Sequence, residues 1–388
     1  AIIRYTDKGE ILLIENSSGG SHYYKNAVFI TRNGRNEDIP ASCELRASVD
    51  FEDVGMTVSR LPDDNGIDWD RVIFWKKGEY FTVLDVLNIK EEGDYLTVNT
   101  WRSPGSGLLN ENSWVVPFGE NKFYISSGQG CKLNSNKDTS VGAVQASVLQ
   151  QQLSGVWKPG MRRSYENVLY ISAPGEERDL QISKIEEGLA LLSGKDNEGI
   201  EKRLIGVKGK YTIGINTDAE VFSLSESELI FANGKSFDID GKEVINSNKP
   251  LSVYIDVAQG KISFEVKERA TVQLKWPGLS LKDYGTKLDI EVGTHVFDLQ
   301  GKTDWNKYIP DIINDSQAQS DGGAILEEIV KSDTSPIWSY NGLRTITPLQ
   351  GLSVNSYPKP DLSSGVVLGA LTDGALPYAS GEIGRAHV

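Results

Sequence analysis

The sequence predicts an all-β protein: a large antiparallel layered β-sandwich followed by a small β-sandwich. Three observations carry this. Short β-branched and aromatic runs recur through the first half, among them EILLIE, NAVFIT, GMTVSRL, RVIFWKKG, EYFTVLDVLNI and DYLTVNTW, each closed by Gly, Asn, Asp or Pro. From about Asp196 the runs return at a spacing of about 8 to 12 residues, the rhythm of a small sandwich. Helical periodicity is essentially missing from both halves.

Taken in order, the first strand-like run, ILLIE, ends in an acid, Glu15, and a Gly-rich turn follows. His22, Tyr23, Tyr24, Lys25 and Asn26 then lead into the strand AVFIT. Such a corner brings Glu15 and His22 to neighbouring strand ends, a set of residue types that can bind sugar or metal; a plain solvated hairpin carries the same residues. Lys25, Arg32 and Arg35 supply local positive charge there, or form a solvated face. Further on, Val72, Ile73, Phe74 and Trp75 are apolar on both strand faces, as is much of Tyr80 to Leu84, so these strands belong inside the layers. Trp69, Trp75 and Trp101 are then core residues. Arg71, set between apolar neighbours, must pair with Asp85 or Asp70, or point into a cleft. Arg162 and Arg163 after Lys158-Pro159-Gly160 form a second basic spot, read as a solvated loop.

The charged stretch DNEGIEKR marks a boundary, giving a first domain over 1–195 and a small accessory sandwich over 196–301. Within the latter, Asn233-Gly234 and Asp240-Gly241 predict tight hairpins. Asp238 and Asp240 lack the spacing of a calcium loop and read as turn residues. His295 reads as a satisfied structural histidine. Residues 302–335 read as a linker with one short helix capped by Asp321. The segment Gly369 to Tyr378, within 336–381, resembles one blade of a β-propeller repeat, which cannot bury its own faces alone. The final EIGRAHV, 382–388, resembles a translated sequencing adapter, as a metagenomic gene fragment would carry, and is set aside with His387.

Composition narrows the function classes. Asp and Glu number 54 against 40 Lys and Arg, a net charge of -14 that repels nucleic acid, so any acidic substrate needs a local basic site. The longest apolar patches, such as VVLGAL from Val366, fall short of the roughly 20 residues of a membrane helix. Two cysteines, Cys43 and Cys131, define neither a disulfide framework nor a thiolate metal site and read as small buried hydrophobes.

The order ILLIEN, Gly-rich turn, NAVFITRNGR, ELRASVDFED and WDRVIFWKKGEYFTVLDVLNIKEEGDYLTVNTWR resembles the C-terminal β-sandwich of the heparinase II/III-like polysaccharide lyases. The similarity extends to LQQQLSGVWKPGMRRSYENVLYIS and covers about Ala1 to Gly194. It implies a secreted or periplasmic lyase that cleaves uronate-containing polysaccharides by β-elimination, this part forming the β-sandwich wall of the cleft. In that family an α/α-toroid precedes the sandwich and a His-x-His-x-Asp-x-Asn segment precedes the first strand; on this reading the chain is a fragment that lacks both and is inactive alone. Members with zinc use a histidine of that segment, the acid matching Glu15, and a histidine whose place Lys25 takes here. Glu15 and His22 are then the remaining candidate metal ligands, and zinc wants three or four.

The implied chemistry defines the roles. Uronate elimination neutralises a sugar carboxylate, removes the adjacent proton with a Tyr or His within about 3 Å, and protonates the leaving glycosidic oxygen. The resemblance therefore implies His22 and Tyr24 as catalytic residues. Tyr23, Lys25, Asn26, Arg35 and Arg71 are the implied contacts to an acidic or glycosaminoglycan-like polysaccharide. A non-catalytic carbohydrate-binding module, or a structural extracellular β-sandwich protein, accounts for the same β-rich acidic chain.

Overall fold

The computed structural model describes residues 2, 4–15, 25–36, 42–138, 146–176, 178–197, 199–301, 310 and 313. The linker helix and the propeller-like repeat expected after 301 fall outside these. Among the described residues the regular elements are all strands. They are β1 (Arg4–Asp7), β2 (Glu10–Ile14), β3 (Val28–Arg32), β4 (Glu44–Asp50), β5 (Val54–Asp64), β6 (Ile67–Lys76), β7 (Tyr80–Ile89), β8 (Gly93–Ser103) and β9 (Leu108–Asn110). There follow β10 (Ser113–Phe118), β11 (Asn121–Ser127), β12 (Lys132–Asp138), β13 (Ala146–Trp157), β14 (Arg162–Ser172), β15 (Asp179–Glu186), β16 (Leu189–Lys195) and β17 (Ile200–Lys210). The last are β18 (Ile215–Ser225), β19 (Glu228–Ile239), β20 (Lys242–Asp256), β21 (Lys261–Val266), β22 (Ala270–Leu274), β23 (Leu279–Leu281), β24 (Lys287–Ile290) and β25 (Gly293–Gly301).

These strands form three antiparallel sheets and one hairpin. An eight-stranded sheet runs β4-β5-β6-β7-β14-β11-β10-β9, a four-stranded sheet β12-β13-β8-β3, and an eleven-stranded sheet takes in β15 to β25. β1 and β2 pair with each other. The eight-stranded sheet is the middle layer, which is why its central strands are apolar on both faces. Val72, Phe74, Leu84 and Val86 pack with Leu180, Leu192, Ile205 and Ile230 of the eleven-stranded sheet. Their neighbours in sequence turn the other way, Val83 meeting Trp101 and Leu149, and Leu87 meeting Val28 and Ile30, of the four-stranded sheet. The alternation follows from the period of two along a strand. Leu12 and Leu13 of the hairpin join the same inner core.

The eleven-stranded sheet is also apolar on both faces. Its far side folds over, so that Phe222, Phe231 and Ile255 pack with Val272, Leu274 and Leu288. The stretch at Asp196 is a hairpin turn, closed by Asp196 N–H to Gly199 O at 2.9 Å, and sheet pairing runs through it from β16 to β17. Asp240-Gly241 forms the expected tight turn, with φ of 51° and 72°. Asn233-Gly234 does not. It lies inside β19, where Asn233 has φ of 54° and the register to β20 slips between Phe231 and Gly234. The same left-handed backbone that suits a hairpin serves a bulge here, bending the sheet. A Cβ on Gly234 would lie 2.6 Å from Ala219 Cα, so β18 and β19 approach too closely for a side chain.

Two further expectations are corrected. Trp75, near the end of β6, is 38% exposed and stacks on Phe81 at 5.4 Å between ring centroids, while Trp69 and Trp101 are buried. Cys43 is exposed rather than buried.

Candidate functional site

The corner between β2 and β3 is held by Asn26, which is fully buried. Its carboxamide N–H groups donate to Ile2 O at 2.9 Å and Ile14 O at 3.0 Å, and its side-chain oxygen accepts Arg102 N–H at 2.7 Å. Its main-chain carbonyl accepts both Ile2 N–H at 3.2 Å and the Arg71 guanidinium at 2.5 Å. One residue thus ties the N-terminal segment, the end of β2, the four-stranded sheet and the middle sheet. These bonds satisfy buried backbone groups that would otherwise be orphaned.

On either side of this anchor, Lys25 Nζ lies 2.5 Å from Glu15 Oε1. The Glu15 side chain is 9% exposed, and its second oxygen, Oε2, has no hydrogen-bond partner among the described residues. The structure therefore brings together Glu15, Lys25 and Asn26. His22, Tyr23 and Tyr24 lie outside the described residues. Arg35 stands at the other end of β3, where its backbone closes the Arg32-Asn33-Gly34-Arg35 turn with bonds of 2.8 and 3.0 Å, well away from Asn26. Asn33 and Gly34 take the left-handed conformation that this turn requires.

Arg71 is buried at 4% exposure and does not reach the surface. Directly across the β6–β7 register from Asp85, it forms a two-pronged pair with Nε to Oδ1 at 2.6 Å and Nη2 to Oδ2 at 2.9 Å. Trp69 Nε1–H donates to the same carboxylate at 2.8 Å, and the guanidinium lies 5.1 Å from the Trp69 ring and 5.5 Å from the Trp101 ring. Asp70, the other partner offered by the sequence, binds Arg60 instead. Arg71 and Asn26 thus act through the corner's geometry rather than by lining a surface.

Zinc is the metal that the sequence resemblance brings into view. Among the described residues no group of three His, Cys, Asp or Glu could hold a metal. Glu15, the anionic candidate, already neutralises an ammonium, and that ammonium would repel a dication. The described residues of the corner do not fit a zinc centre.

Two polar clusters escaped the sequence reading. Between the inner sheets, Gln151 accepts Asn99 at 2.8 Å and Trp101 at 3.2 Å and donates to Asn167 at 2.7 Å. Behind β14, Ser164 Oγ donates to Glu166 at 2.5 Å, while Lys184 Nζ lies 3.7 Å from Glu166, 3.1 Å from Glu187 and 2.7 Å from Ser164 O. Burial, helped by the Glu187 charge, pushes the Glu166 carboxyl up to about 7. Burial opposes the Lys184 charge, yet two carboxylates outweigh it and hold its ammonium above the ordinary value. Burial also pushes the nearby Cys131 thiol up to about 12. Ser164 is buried, and its hydroxyl is engaged by Glu166 and by Gly188 N–H at 2.9 Å, so it is not presented to a substrate.

No family of known sequences and no curated protein matches the chain. Among solved structures it is similar to heparan sulfate lyase HepC from Pedobacter heparinus, at 13% identity and a TM-score of 0.41, over 52% of this chain and 35% of that one. A heparinase III gene product with methylated lysines is similar at 12% identity and a TM-score of 0.41, over 51% and 34%. A heparinase III crystal structure follows at 12% identity and 0.33, over 45% and 28%. The chain spans roughly a third of the length of those proteins.

Proposed function

We propose that this chain is the β-sandwich part of a polysaccharide lyase acting on uronate-containing polymers, and that the corner between β2 and β3 is its contact with the substrate carboxylate. The observation that carries the reading is the ion pair of Glu15 and Lys25, set at 2.5 Å on the Asn26 anchor. It joins residues 15 and 25, on either side of the stretch containing His22, Tyr23 and Tyr24, and fixes one cation there. A cation beside the uronate carboxylate stabilises the carbanion that forms when the adjacent proton is removed, and a Tyr or His is the base and acid type that elimination uses. On this reading Lys25 supplies the charge, Glu15 orients it, and His22 and Tyr24 move the protons. Arg71 and Asn26 are positioning residues. In the family that the sequence resembles the rest of the machinery sits on a helical toroid, and binding is the first readout of this reading.

Affinity electrophoresis tests this. Gels containing heparan sulfate, alginate or another uronate polymer should retard the protein, and gels with a neutral glucan should not. Lys25→Ala should weaken the retardation roughly tenfold, the loss of one charge-assisted contact. Equal mobility in acidic and neutral gels would sink the reading. Uronate-independent binding would favour the carbohydrate-binding module.

A further inference from the structure

We infer that the groove between the eight-stranded and eleven-stranded sheets is a second binding site, for an anionic sugar unit. The groove encloses about 460 Å³. Its walls come from the end of β7, the β13–β14 turn, the β15–β16 turn and the end of β17, with Ile89, Arg162, Glu186, Glu187, Lys210 and Tyr211 among the lining residues.

Formal charge at the groove balances, but its carboxylates are committed and its cations much less so. Glu187 accepts from Lys184 at 3.1 Å and lies 2.9 Å from the Ser164 hydroxyl oxygen, and Glu186 accepts from Thr212 N–H at 2.6 Å and its hydroxyl at 2.5 Å. By contrast Lys210 is exposed, and its ammonium has no partner among the described residues. Arg162 is aimed by Nε–H to Asn88 Oδ1 at 3.1 Å, and Asn88 is held in turn by Asp70 at 2.9 Å. The terminal nitrogens of Arg162 reach the Lys208 carbonyl at 3.4 and 3.5 Å, the outer limit of a hydrogen bond, and approach the Tyr211 hydroxyl. Among the described residues neither Arg162 nor Lys210 is neutralised by an ion pair. Each carboxylate has about four lone-pair sites, so Glu186 and Glu187 keep acceptor capacity for hydroxyl donors. A ligand with one negative group and several hydroxyls matches both halves of the lining, which describes a uronate or sulfated sugar better than a simple anion. Tyr211 turns its hydroxyl inward, to Val207 O at 2.7 Å and Gly188 O at 3.0 Å, and leaves the ring as wall.

The site stands on its own lining and does not require the corner to bind anything. Isothermal titration with a glucuronate-containing disaccharide, its neutral counterpart and inorganic sulfate tests it. The acidic disaccharide should bind, the neutral one should not, and sulfate should bind more weakly. Lys210→Ala and Arg162→Gln should each lower affinity roughly tenfold, while Lys261→Ala, an exposed lysine at the start of β21, leaves it unchanged. Lys210 is exposed, so its truncation keeps the fold, and an unchanged unfolding midpoint verifies this. Wild-type affinity in both groove variants overturns the inference, as does no binding of the acidic disaccharide; sulfate binding as tightly as the disaccharide overturns the sugar assignment. Loss of affinity in Lys25→Ala alone would transfer the site to the corner.

Discussion

Arg71 lies between two indole rings with its charge matched by one carboxylate, and removing that carboxylate strands a buried cation. Asp85→Ala should therefore cost about 3–5 kcal/mol in urea unfolding. Replacing both partners, Arg71→Met with Asp85→Leu, should cost much less than the two single changes together, because no unpaired charge remains. A single-variant loss below about 1 kcal/mol would contradict the pairing. Glu166 gives a pH signature. Its carboxyl titrates at about 7 in the folded protein and at an ordinary value of 4.5 otherwise. The folded state holds the extra proton between those values, so this group's contribution is full below about 4.5 and is lost as pH rises toward 7. The groups facing it are Lys184, Glu187, Ser164 and Cys131. Glu166→Gln should flatten the stability profile across that window by up to roughly 3 kcal/mol, measured by denaturant unfolding at stepped pH. Arg71 was legible in the sequence because an arginine among apolar neighbours demands a partner. Asn26 was not legible as an anchor, since its partners at Ile2, Ile14 and Arg102 are backbone groups scattered along the chain.

At the level of elements, the strand runs and their turns followed from β-branched patterning and Gly, Asn and Asp punctuation. The exception at Asn233-Gly234 arises because a tight turn and a bulge ask for the same left-handed residue, and only the pairing on either side tells them apart. Gly234→Ala should destabilise the protein by about 1–3 kcal/mol in denaturant, since the new methyl would press on the Ala219 backbone. Wild-type stability in that variant would mean that β18 and β19 can separate there. The groove escaped the sequence for a different reason. Its lining gathers two or three residues from each of four places along the chain, and no local pattern announces such a convergence.

Across the molecule, burial rather than charge sets the architecture. The layered arrangement was foreshadowed by the two-faced apolar strands, whereas the continuity of the last sheet through Asp196 was hidden by the polarity of its turn. Ion pairs then bridge the layers: Lys76 holds Asp196 at 2.9 Å and Glu201 at 3.0 Å, and Arg203 joins Glu201 and Glu228 while lying 5.1 Å over the Phe74 ring. Because one core mixes residues from Ala47 to Tyr254, thermal unfolding should give a single cooperative transition in calorimetry; two resolved transitions would mean that the layers melt independently. The Asn26 anchor and the Glu15–Lys25 pair also hold the end of β2 and the start of β3 to one another, to the N-terminal segment and to two sheets, so a change at Asn26 should loosen four parts of the molecule at once.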